Sequence, residues 1–204
     1  MHAVYSGTTA TNNQPKQVPM SDPSGTTGRR KRAERERSLR LDVVLVGLMT
    51  ALMVLLMTWG KPFMEIPGFM EGRSHFTRNL DLEFFNGFDH PTRWWAPWTN
   101  TLGNIAMFFP VGIAGYYLTH SRWATVLLAA LYSVIIEAGQ YLFVVGFSDV
   151  DDLACNTLGA AIGAVMVSML NRKHQQSLMN VLVPALGAAL MFLFGALILG
   201  LVTA

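Results

Sequence analysis

Charge is what this sequence has least of. Asp, Glu, Lys and Arg make up 14% of its 204 residues, against roughly 25% in ordinary soluble domains, which excludes a conventional water-facing globule. Cysteine is almost missing too. Cys155 stands alone, so no internal disulfide exists, and its place in an apolar run reads as a small buried hydrophobe rather than a reactive thiol. There is no Gly-rich phosphate loop, no His/Cys cluster with zinc spacing and no Gly-x-Ser-x-Gly elbow. The five histidines are scattered, His75 and His90 without evident partners. No cofactor is expected. The first apolar segment is followed by Trp59-Gly60-Lys61-Pro62 instead of a small-x-small cleavage site, which predicts a retained anchor rather than a signal peptide.

What is there is hydrocarbon, in blocks near the ~20 residues that cross a bilayer. The expected class is an all-α integral membrane protein with five transmembrane helices, at 41–59, 102–119, 123–145, 153–170 and 181–202. The expected organisation follows. Residues 1–40 form a cytoplasmic tail, disordered over 1–28 for want of anything to bury, with Met20 as a second candidate start and a basic juxtamembrane segment at its end. Residues 41–60 form the first helix, 61–101 an extracytoplasmic loop, 102–170 a three-helix core, and 171–204 a cytoplasmic turn with the fifth helix.

Charge distribution sets the orientation. Eight of the fifteen Lys and Arg precede Leu41, seven of them between Arg29 and Arg40. A basic block beside a first span marks the cytoplasmic side. It also suits anionic lipid headgroups, at about 1 kcal/mol per basic residue. With no interleaved aromatics, it is not a nucleic-acid footprint. A cytoplasmic N-terminus puts Arg122, Arg172 and Lys173 inside as well, and an odd span count leaves the C-terminus extracytoplasmic. The alternation at 80–85 predicts a short interfacial helix. Trp94, Trp95 and Trp98 read as a headgroup-layer belt ahead of a carbohydrate contact.

Polar residues inside the apolar runs carry the functional argument. Glu137 and Gln140 lie within LLAALYSVIIEAGQYLFVV, where a charge costs about 2.5 to 3.5 kcal/mol on insertion scales. Glu137 falls about eight residues from the outer end of its expected helix, hence roughly 12 Å deep. Ser133 shares its face one turn below, and Gln140 lies above it. Asp149, Asp151 and Asp152 fall at the outer surface, Asn156 one turn inside, and Asn104 near the start of the second span. These positions predict a polar ligand-binding site open to the outside, with Asn104, Glu137, Gln140, Asp152 and Asn156 facing inward. Each has a plainer reading. One aspartate serves as a helix N-cap, Asn104 and Asn156 are interhelical hydrogen-bonding glue, and Glu137 is a neutral structural acid. Oxygen ligands make Asp149, Asp151 and Asp152 candidates for magnesium or calcium, although Asp-x-Asp-Asp alone is a weak signal. Gly159 and Gly163 offer a face for close helix approach.

Taken in order, Asn104 with Phe108, Pro110 and Gly112, then Ser133-x-x-x-Glu137-x-x-Gln140, then Asp149-Val150-Asp151-Asp152-x-x-x-Asn156-x-x-Gly159-x-x-x-Gly163, resemble the VanZ-like family over about residues 100–170. The resemblance implies a multi-pass protein of the bacterial plasma membrane. It also implies an envelope role linked to low-level resistance to teicoplanin, a lipid-tailed glycopeptide. Family members usually carry an arginine before the aspartates, in Gly-Arg-Ser. Here Phe147 replaces it, which puts any arginine pairing with the buried glutamate or with an anionic ligand in question. Three functions stay open: a binding protein for an amphiphilic or lipid-linked envelope molecule, an intramembrane enzyme on a lipid or polyprenyl-phosphate headgroup with Glu137 as acid or base, and a helper subunit of an envelope complex.

Overall fold

The computed structural model describes residues 23–60, 63–66, 70–71, 78–89, 91, 93–144 and 146–203. The expectations for the tail at 1–22, Met20, His75 and His90, and for the Phe147 side chain, lie outside the described residues. The chain divides into two units, 1–35 and 36–204; the second holds everything below apart from the opening turns of the first helix.

Five helices are long and apolar enough to cross a membrane: α1 Pro23–Trp59, α2 Ala96–Thr119, α3 Arg122–Phe143, α4 Val150–Met169 and α5 Arg172–Thr203. The protein is a multi-pass membrane protein. All five helices begin before the apolar runs do, three of them by six residues or more. The basic segment is already helical, in keeping with its Glu and Arg residues spaced four apart, such as Glu36 and Arg40. α2 starts at Ala96, where Pro97 occupies a first-turn position that needs no amide donor. α5 starts at Arg172 because its polar first turns have partners. Gln175 Nε2 donates to the Leu170 and Val167 carbonyls at 3.0 and 3.2 Å, and Gln176 Nε2 to Asp42 on α1 at 2.7 Å.

α2 and α4 approach backbone to backbone. A Cβ on Gly159 would meet the Ile105 carbonyl group, its carbon at 2.9 Å; on Gly112 it would lie 2.7 Å from the carbonyl carbon of Ala160. Gly163 faces the Phe109 carbonyl in the same way. Only glycine fits such a crossing. The dispersion attraction between backbones this close holds the helices together in lipid, where burial alone does not. Pro110 is buried inside α2, and the helix runs through it. Around the crossing, Val54, Phe108, Ala129, Ile136 and Ala160 form one buried cluster. A second, with Leu39, Val46, Ile113, Met179 and Leu186, joins α1, α2 and α5.

The connection after α1 is not all loop. β1 (Glu65–Ile66) pairs antiparallel with β2 (Met70–Glu71). β3 (Arg78–Asp81) pairs in parallel with β4 (Gly146–Asp149), Leu80 opposite Ser148 and Asp81 opposite Asp149. The expected interfacial helix at 80–85 is therefore corrected: a strand, then a turn into a short 3-10 stretch, Asn86–Phe88. Strand pairing satisfies backbone groups that an isolated short helix would leave open. Asp81 shapes the turn, accepting from Glu83 N at 3.0 Å and Asn86 Nδ2 at 2.8 Å, bonds that hold its carboxyl below the usual range. Trp94 and Trp98 are exposed, Trp95 half-buried with Arg93 over its ring.

Candidate functional site

One-turn spacing on three helices assembles a ladder of polar groups. Asn100 and Asn104 stand four apart on α2, Asp152 and Asn156 four apart on α4, and Ser133, Glu137 and Gln140 share a face of α3, so each set projects from one side of its helix. Asn100 and Asn104 both donate from Nδ2 to Asp152 Oδ1, the first at 2.8 Å. Deeper in, Asn156 Nδ2 donates to Ser133 Oγ at 2.9 Å, while its own Oδ1 is buried with no partner. Gln140 Nε2 reaches the Thr58 carbonyl on α1 at 3.5 Å, a long bond.

These groups border a cavity of about 440 Å³. Its polar boundary carries Asn100, Asn104, Glu137, Gln140, Asp152 and Asn156. Its apolar walls come from Met53 and Met57 on α1, Met107 on α2, and Leu186, Ala189 and Leu193 on α5. Ser133 stands behind Asn156, reaching the space through that amide. Asn100 was not singled out by sequence, although an amide one turn before Asn104 was a usable signal. The α1 and α5 walls carry no mark in the sequence.

The remaining acids diverge. Asp149 caps α4, its carboxylate accepting from Asp151 N at 2.8 Å. Its own N–H donates to Glu137 Oε2 at 3.0 Å, and Ser148 Oγ donates to the Glu137 carbonyl at 2.7 Å. The end of α3 is thus stitched to the start of α4. Glu137 is six residues from the end of α3, about 9 Å along the axis, shallower than the sequence implied because the helix stops at Phe143. It borders a second hollow of about 290 Å³ as well, shared with Asp149, Leu80 and Tyr141. Burial pushes the Asp149 carboxyl up to about 6; the Asp151 N–H works against that, and Asp152, Asp151 and Asp81 add to it. Asp151 turns away from both spaces. Its two oxygens accept from Phe85 N, each at 2.9 Å, and hold that residue at a left-handed φ of 56°.

Asp149, Asp151 and Asp152 therefore address three different partners. Among the described residues no three His, Cys, Asp or Glu side chains gather as a metal site. Chemically the main cavity offers carboxylate and amide oxygens beside a large apolar wall, which suits a molecule with a donor-bearing polar end and a hydrocarbon part.

Residues 43–171 match the family profile described as VanZ/LLP1. No curated protein and no solved structure matches the chain.

Proposed function

The chain belongs to the VanZ/LLP1 family, and from that premise we propose that it holds an amphiphilic or lipid-linked envelope molecule in the cavity between its helices, contributing in that way to teicoplanin-type glycopeptide resistance. The observation that carries this reading is the cavity itself. A polar boundary drawn from α2, α3 and α4 faces apolar residues of α1 and α5 across one space of about 440 Å³, within the size range of small-molecule sites. The setting is the bacterial plasma membrane, with the N-terminus cytoplasmic. The concentration of Lys and Arg between Arg29 and Arg40 supports that orientation, and it turns the Asn104–Asp152 end of the cavity outward. Anionic lipids are partners for the basic segment.

The test is expression in a teicoplanin-susceptible bacterium, comparing the native chain with Glu137→Gln and Asp152→Asn. Both variants keep an acceptor oxygen and the side-chain volume, so membrane abundance should not change. Protection by the native chain, reduced by either variant at equal abundance, is the expected result. Absence of protection by the native chain refutes the resistance role, and protection that survives both variants refutes the assignment of the site.

A further inference from the structure

The cavity is not closed on every side. Gly103 and Ala106 on α2, and Ala185 and Phe192 on α5, line it and are themselves exposed. α2 and α5 share a buried cluster at the end holding Ile113, Met179 and Leu186; toward Gly103 and Phe192 their facing residues open onto the surface. In a bundle that crosses a membrane, an opening rimmed by Phe192, 62% exposed, faces acyl chains rather than water. A slot there connects the interior with the bilayer. At the inner end lies Asn156, 3% exposed, with Oδ1 buried and unpartnered. A buried acceptor without a donor is costly. It marks a place where an incoming group supplies the missing N–H or O–H.

We infer that the cavity is filled sideways from the bilayer, through the slot between α2 and α5, by a lipid acyl chain whose polar end donates a hydrogen bond to Asn156 Oδ1. This deepens, and rests on, the reading of the cavity as an amphiphile site. The small side chains of Ala106 and Ala185 hold the slot open, and the apolar walls take the chain.

The full chain is reconstituted in phosphatidylcholine vesicles doped with a phosphatidylethanolamine that carries a photoreactive diazirine in its acyl chain. Cross-links are mapped by mass spectrometry. Leu186 and Ile136 line the cavity at 6% and 7% exposure, so a bilayer chain reaches them only from within. They are expected to be labelled, while the fully buried Ile113 and Val167 are not. In the doubly plugged variant Ala106→Trp/Ala185→Trp, labelling of Leu186 and Ile136 should vanish. Labelling of the exposed Leu127 and Leu131 on α3 should stay unchanged and shows that the bundle is intact. Asn156→Leu should lower cavity labelling about two- to tenfold, the worth of one hydrogen bond, with the same control unchanged. Cavity labelling that persists in the plugged variant overturns the route, and labelling unaffected by Asn156→Leu overturns the headgroup contact. The same headgroup on a short photoreactive chain, added from water, separates the two levels. If it labels Leu186 while the vesicle lipid does not, lateral filling fails and the amphiphile reading stands. If neither probe labels the cavity, both fail.

Discussion

Replacing Gly159 by alanine tests the α2–α4 crossing and the site at once. The new methyl would put the Ile105 carbonyl carbon at 2.9 Å, where ordinary contact begins at 3.4 Å. That carbon must retreat by at least about 0.5 Å, and the oxygen in front of it by more. Backbone cannot rotate away as a side chain can, so the helices must part. Overpacking of this kind costs about 1–3 kcal/mol; removing a helical glycine returns about 0.5–1 kcal/mol. Because the clash is with backbone, the upper part of that range, about 2–3 kcal/mol, applies, and the net expectation is a loss of about 1–2.5 kcal/mol, or about 2–10 °C in Tm for a chain of this size. Ile105 adjoins Asn104, so parting the helices also stretches its bond to Asp152, and affinity for a cavity ligand should fall with Tm. The single, buried Cys155 supplies the assay, since a thiol-reactive dye reports unfolding when the sulfur is uncovered. Gly195→Ala is the opposite-signed control: nothing lies within 4 Å of a Cβ there, so only the helix-propensity gain remains and Tm should hold or rise. A Gly159→Ala protein at or above the native Tm would refute the crossing.

Two further outcomes follow from the same network. Asp149 holds its proton to about pH 6 in the fold against an ordinary 3.8, so its protonated form is the one folding favours. The stability it contributes is present below about pH 4 and lost as the pH rises toward 6. Tm of the native chain should decline across that window, and Asp149→Asn, which keeps an N-cap oxygen, should flatten the decline; equal slopes would refute it. Ser133→Ala leaves Asn156 Nδ2 buried without its 2.9 Å partner, at about 1–3 kcal/mol, and should lower Tm more than Ser168→Ala at an exposed hydroxyl; equal effects would count against the buried pair.

The five helices were legible because each contains an apolar run near bilayer length. Their edges were not. Arg172 to Asn180 is polar by composition, yet it is helical because Gln175 and Gln176 find acceptors on α4 and α1, which no local pattern encodes. The short strands RNLD and GFSD have no alternation to betray them, and they meet across the whole α2–α3 crossover. At the site, turn spacing singled out Asn104, Glu137, Gln140, Asp152 and Asn156, and all five border one cavity. The three aspartates looked alike in sequence. They diverge because α4 begins among them, so the cap, the first turn and the cavity face take one each.

The parallel pairing of β3 with β4 has a consequence for biogenesis. Phe85 and its acceptor Asp151 are 66 residues apart, with two hydrophobic segments between them. At about 5–20 residues per second, the ribosome delivers the second partner roughly 3–13 s after the first. During that wait the β3 backbone and the Phe85 N–H, whose partners lie in β4 and α4, stand unpaired on the membrane face. Arrival of the first turn of α4, with Asp151 in it, ends that interval and closes the clasp between the long connection and the helix bundle.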